Sequence, residues 1–182
     1  GFLMSNVEIR HVGPRRRIDT YTEKILGRYG LHIHMCNDNT INTLIEDVVV
    51  RDCGAHAFVP HASHGITFKN CISFNTFEDA YWWVPPPNDG VDPMNNSNDI
   101  SFINCVAAKI KIDPPFRGYR LAGFHLGSGL RNQVKNCIVV GNEGNGSAAG
   151  FLWPESSNQT DNVWIFENNI AHNNKKNGIF VW

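Results

Sequence analysis

The feature that most constrains the fold is a short segment that returns along the chain. Phe68-Lys69-Asn70-Cys71, Phe102-Ile103-Asn104-Cys105, Val134-Lys135-Asn136-Cys137 and Phe166-Glu167-Asn168-Asn169 share one pattern, an alternating run closed by Asn and a small or polar residue. The later copies are spaced 34, 32 and 32 residues apart. Val50-Arg51-Asp52-Cys53 reads as a further copy, and Ile9-Arg10-His11-Val12 as an earlier one. A second repeated segment accompanies them. It runs through Gly30-Leu31-His32-Ile33-His34, Ala57-Phe58-Val59-Pro60-His61 and Ala80-Tyr81-Trp82-Trp83-Val84, then Gly123-Phe124-His125-Leu126, Gly150-Phe151-Leu152-Trp153 and Gly178-Ile179-Phe180-Val181. Self-similarity at this period means one supersecondary unit stacked on the next.

The units contain strand-like alternation and no helical period. Two-residue hairpin turns, which a sandwich or propeller needs, are scarce. The pattern therefore predicts an all-β chain: a right-handed, single-stranded parallel β-helix of about six coils, pectate-lyase-like, occupying residues 1–182 as one domain. Recurring Asn would form ladders at bends, where it tolerates the left-handed conformation. The recurring Cys53, Cys71, Cys105 and Cys137 would be buried free thiols, since no C-x-x-C pair is present and the total of five is odd.

Composition narrows the function. Sixteen Lys+Arg against seventeen Asp+Glu give a net charge of -1, which offers no bulk attraction for nucleic acid. No apolar run is long enough to span a bilayer. Gly1-Phe2-Leu3-Met4 lacks a leader pattern, and a start at Gly is expected of a processed chain or a piece of a longer protein. The ends begin and stop within strands, so either the natural protein continues or the ends pair between chains.

Strand parity then assigns the faces. Leu31, Phe58, Tyr81, Phe124, Phe151 and Ile179 fall in one column and are expected inside. His32, Val59, Trp82, His125, Leu152 and Phe180 fall outside, with His34 and His61 two residues on. The small column Gly30, Ala57, Ala80, Gly123, Gly150 and Gly178 is expected to floor an outer groove. Imidazoles clustered on neighbouring rungs can move protons or hold a metal ion, and an indole face can carry a sugar ring. His32, His34, His61 and Asp79 are thus the candidate catalytic residues. Arg28 is the candidate neutraliser of a uronate, and Trp82 and His125 the candidates to position the sugar. Glu78 beside Asp79 completes the visible carboxylate pair. His56 and His64 rank lower, and His11 and His172 read as structural. The segments 85–97 and 112–119 read as walls or lids. The rival reading takes outward Val59, Leu152 and Phe180 as a covered surface with scaffold histidines.

Gly27-Arg28-Tyr29-Gly30-Leu31-His32-Ile33-His34 resembles the G-R-Y-P-[aliphatic]-H-[aromatic]-H motif of the cell-migration-inducing and transmembrane hyaluronidases, whose β-helices are related to those of fibrocystin-like proteins. Val7-Glu8-Ile9-Arg10-His11-Val12-Gly13 is similar to the V-E-F-x-H-M-G segment that precedes the motif there. Val59-Pro60-His61 falls at the family's V-H-G step, and Asn168-Asn169-Ile170-Ala171-His172-Asn173 is similar to its N-N-x-A-H-x-N segment. Gly30 stands where the family has Pro, and Asp79 where its His is expected. The resemblance implies a right-handed β-helix that depolymerises a glycan, with calcium as the ion, and places the chain outside the cell or at its surface. Cleavage of an extended acidic polysaccharide, by hydrolysis or elimination, is the resulting expectation. The alternative is a non-catalytic glycan-binding or structural module of a larger surface protein.

Overall fold

The computed structural model describes residues 1–14, 27–83, 96–112, 120–127, 129–153 and 164–181. Its strands in chain order are β1 (Leu3–Arg10), β2 (Leu31–Asn37), β3 (Thr43–Arg51), β4 (Phe58–Ser63), β5 (Ile66–Lys69), β6 (Ile72–Thr76), β7 (Tyr81–Trp82) and β8 (Ser101–Ile103). They continue with β9 (Val106–Ile110), β10 (Ala122–His125), β11 (Gln133–Lys135), β12 (Ile138–Asn142), β13 (Ala149–Trp153), β14 (Ile165–Glu167), β15 (Ile170–His172) and β16 (Asn177–Val181). The described residues hold no α-helix, only a 3-10 turn at Asp38–Thr40.

Every strand pairing is parallel, between segments one repeat apart. One face runs from the first half of β3 through β5, β8, β11 and β14. A second runs from the last residues of β3 through β6, β9, β12 and β15, while β1 lies along the whole of β3. The third is ordered β2-β4-β7-β10-β13-β16. The chain is a parallel β-helix.

The bends between faces are built from left-handed residues in register. Asn6, Asp47, Asn70, Asn104, Asn136 and Asn168 all have φ between 53 and 56°. A side-chain oxygen that can bond locally makes this region cheap for Asn and Asp. Here the bonds run along the ladder: Asn70 Nδ2 donates to Asp47 Oδ1 at 3.0 Å, and Asn104 Nδ2 to Asn70 Oδ1 at 3.2 Å. Five residues on, a second left-handed ladder runs through His11, Asp52, Asn75, Lys109, Gly141 and Asn173.

This second ladder corrects the repeat assignment. Glu46 pairs with Lys69, so Asp47-Val48 is the true partner of Asn70-Cys71. Asp52-Cys53 belongs to the other bend, beside Asn75, whose Nδ2 donates to Asp52 Oδ1. The nine-residue β3 crosses both bends without a break, and its second bend mimics the first in sequence. Ile9-Arg10-His11-Val12 likewise pairs with Val50-Arg51 and continues that second ladder. All five cysteines are free; Cys53, Cys71, Cys105 and Cys137 are buried, and burial pushes the Cys53 and Cys105 thiols up, out of their reactive range.

The core column stands as expected from strand parity. Leu31, Phe58, Tyr81, Phe124, Phe151 and Ile179 are successive register partners. The middle four have no exposed surface, and their rings stack at 4.8, 4.2 and 5.2 Å between centroids. Tyr81 buries its hydroxyl by sharing its proton between the carbonyls of Cys71 (2.8 Å) and Val106 (3.1 Å). Ile179, on the last rung, is 53% exposed.

The small column does not floor an outer groove. A Cβ on Gly123 would lie 2.4 Å from Val139 Cγ1, and one on Gly30 2.6 Å from Val50 Cγ1. Both valines are core residues, so this column points inward as the chain turns onto the third face. Two consecutive positions therefore face the core there, and simple alternation fails by one residue. The small outward residues are Ala122 and Ala149, which pack with Leu152 and Phe180 in a separate apolar cluster.

Candidate functional site

The outward column is in register: His32 beside Val59, Trp82 beside His125, His125 beside Leu152, Leu152 beside Phe180. Val59 and Leu152 are buried, so part of this face is covered. Around His32 and Trp82 it stays open, and two groups of side chains assemble there.

The first group is three histidines. His34 and His61 are register partners on β2 and β4, and their Nδ1 atoms lie 3.0 Å apart. His34 Nδ1 is also 3.3 Å from His32 Nε2. The His32 and His61 rings lie parallel at 5.9 Å. Met35 and Ala62, the residues immediately after His34 and His61, are both left-handed, with φ of 52 and 45°. Neither residue type favours that conformation, so a matched turn is held at the strand end just beyond the pair. His32 Nδ1 donates to the Gly27 carbonyl at 3.1 Å. Burial holds His32 below the ordinary imidazole value; the cationic forms of His34, His61 and His56 add to this, and the Gly27 bond opposes it.

The second group was only partly legible. Asp79, in the turn before β7, is buried. Its Oδ1 accepts the Ala122 backbone N–H at 2.6 Å and its Oδ2 accepts His125 Nδ1 at 3.0 Å. His56 lies against the same pair: its Nε2 is 3.2 Å from Glu78 Oε2, and its Nδ1 is 3.8 Å from Asp79 Oδ2. That Nδ1 is buried without a hydrogen-bond partner. Burial pulls His56 below its ordinary value, against the opposing pull of Glu78 and Asp79. The Trp82 ring stacks on His56 at 4.1 Å and 13°. Tyr29 joins the groups, its ring edge-on to His32, His56 and Trp82 at 4.8, 5.1 and 5.6 Å.

All four candidate catalytic residues thus lie on one face, in two sets. His125 is buried, with its Nδ1 bonded to Asp79. Trp82 is half-buried, with one face covered by His56. Arg28 is exposed next to Tyr29. His56, ranked low from sequence, is central; the signal was its place in the turn before β4, three residues after Cys53, where Asp79 occupies the equivalent turn one rung on. His64 is structural: its Nδ1 accepts the Asn98 N–H at 3.1 Å. His11 and His172 are exposed and take part in none of these contacts. The proposed walls lie largely outside the described residues, at 84–95 and 113–119.

The family comparison covers most of this assembly. The sequence profile of the CEMIP beta-helix matches residues 2–115. The chain belongs to that family. The matched span of the CEMIP beta-helix carries His32, His34, His56, His61, Glu78, Asp79 and Trp82, and stops short of His125. Comparison with curated proteins and with solved structures gave no match.

Calcium, the ion the family resemblance implies, does not suit the three histidines or Asp79. It takes six to eight oxygen ligands. The three-histidine group offers nitrogen, and both Asp79 oxygens are committed to Ala122 and His125. No helix among the described residues is long and apolar enough to cross a membrane.

Proposed function

We propose that this CEMIP beta-helix depolymerises an extended acidic polysaccharide lying across its third face. The observation that carries the reading is the chain His125–Asp79–His56–Glu78 beside the half-buried Trp82. A carboxylate that accepts Nδ1–H fixes the tautomer of its histidine and leaves Nε2 as a base. Asp79 stands in that relation to His125, and Glu78 in the mirrored relation to His56. His125 is then the imidazole that takes and returns a proton in the cleavage of a glycosidic linkage, while His56, its Nδ1 buried, supports Trp82 from beneath. Trp82 offers an apolar ring for a sugar, and Arg28 a guanidinium for its carboxylate.

The site residues come from β2 to β10, three rung spacings of about 4.8 Å, so a bound chain would contact a stretch of about 14 Å. That favours a polymer over a small glycoside. Such polymers place the protein outside the cell or at its surface.

The test is incubation with hyaluronan, chondroitin and pectate, following product size and unsaturated-uronate absorbance together. The expected result is loss of chain length. Rising absorbance would mark elimination, and its absence hydrolysis. Unchanged chain length on all three polymers overturns the reading and leaves a binding or scaffold module.

A further inference from the structure

We propose that His32, His34 and His61 bind one divalent transition-metal ion of the zinc type. The inference does not depend on the polysaccharide reading. Their ligand nitrogens all lie within 4.8 Å of one another, and they are the one group among the described residues with such a convergence. Two of the spacings, 3.0 and 3.3 Å, have the size a metal imposes. With metal–nitrogen bonds of about 2.0–2.1 Å, tetrahedral ligands sit about 3.3 Å apart.

Proton accounting supports a cation. The Gly27 carbonyl can only accept, so His32 carries its proton on Nδ1 and turns the Nε2 lone pair to the cluster. A carbonyl behind the ring is the usual orienting partner of a ligating histidine. His34 Nδ1 faces both other nitrogens and, as a neutral ring, has at most one proton there. It can satisfy one contact by donating. If it instead accepts from His61, its contact with His32 sets lone pair against lone pair. A metal ion between the three rings resolves both contacts at once.

The ligand set is imidazole alone, which suits zinc, copper or nickel and disfavours calcium. Three ligands leave at least one position for water, and exposed His34 leaves a way in.

The experiment uses the untagged full chain, stripped with chelator and dialysed against zinc chloride and, separately, calcium chloride. One zinc and no calcium per chain is expected. Zinc affinity should fall by more than about 100-fold in His34→Ala, because the outer partners of a ligand are alone worth 10–100-fold. It should be unchanged in His172→Ala, an exposed histidine on β15. Cobalt(II) should give visible d–d bands of a low-coordinate site in the wild type and lose them in His34→Ala. Metal-free His34→Ala should unfold at the wild-type temperature, since His34 is exposed. Absence of stoichiometric zinc, or equal affinity in His34→Ala, overturns the proposal. Zinc binding without any depolymerisation leaves this site standing and removes the enzymatic reading instead.

Discussion

Replacing Asp79 by Asn separates the chemistry of the site from its architecture. Asp79 makes two strong bonds, from the Ala122 N–H at 2.6 Å and from His125 Nδ1 at 3.0 Å, in a side chain only 9% exposed. Asn has nearly the same volume and keeps an oxygen for Ala122. Its amide then faces His125 Nδ1, which must become an acceptor, so the His125 proton moves to Nε2. The folded state exchanges a charged hydrogen bond for a neutral one, a loss of about 1–1.5 kcal/mol. At this chain length that lowers Tm by about 2–6 °C. The effect on rate is larger, because the base is now protonated on its working face. A drop of about 10²–10⁴ in depolymerisation rate is expected. Product-size assays and thermal unfolding on the same preparation measure both, and nitrogen chemical shifts of His125 report the tautomer. A variant that keeps the wild-type rate with the tautomer reversed refutes the acid–base role. A Tm fall far beyond this range would show that the carboxylate serves the fold alone.

Acidification should destabilise the chain through His32 and His56. Both are held below the ordinary value of 6.5, so the unfolded chain binds protons that the folded chain refuses, and stability falls as pH drops below about 6.5. Tm measured from pH 7.5 to 5.5 should decline, and His56→Gln should flatten the curve; equal slopes would contradict the assignment. Thiol titration of the native chain should count one fast-reacting cysteine, Cys36, and all five after denaturation, since the other four are buried. Phe124→Ala removes the centre of the ring stack between Tyr81 and Phe151 and should cost about 3–5 kcal/mol in denaturant unfolding. Gly123→Ala forces a Cβ to 2.4 Å from Val139 Cγ1 and should cost about 1–3 kcal/mol, partly recovered by adding Val139→Ala.

The fold was legible because stacking turns sequence period into spatial register. The column Leu31–Phe58–Tyr81–Phe124–Phe151–Ile179 recurs at the same place in each repeat, and each adjacent pair is a register partner. The same logic placed His34 against His61. It misled where two bends carry similar chemistry: Asp52-Cys53 looks like Asn70-Cys71, and only the unbroken pairing of β3 shows that Asp47 is the equivalent residue. It failed again at Gly30 and Gly123, because alternation describes straight strand and these residues lie at its entrance, Gly30 just before β2 and Gly123 second in β10. His56 was undervalued for a related reason. It lies in a turn, where no parity rule says which way a side chain points, and its importance comes from Glu78 and Asp79 in the corresponding turn of the next rung.

Those turns explain how a repetitive scaffold comes to hold an irregular site. Inward columns must repeat, because each ring packs on the one above it, and a charge there would lose its water without gaining a partner. Outward and turn positions carry no such constraint. Asp79 uses that freedom, and it is also tied into the ladder. Ala80 N–H bonds to the Ala122 carbonyl, while Ala122 N–H bonds to the Asp79 carboxylate, so the side chain stands where a backbone acceptor of the neighbouring rung would stand. The carboxylate is thereby positioned by the inter-rung spacing itself, and His125, three residues beyond Ala122 on the same strand, is positioned with it. A site built this way needs no loop to hold its geometry. It follows that Asp79→Ala, which removes the acceptor from the ladder, should destabilise the chain by more than Asp79→Asn, which preserves it, and should leave the His125 tautomer unset where Asp79→Asn reverses it.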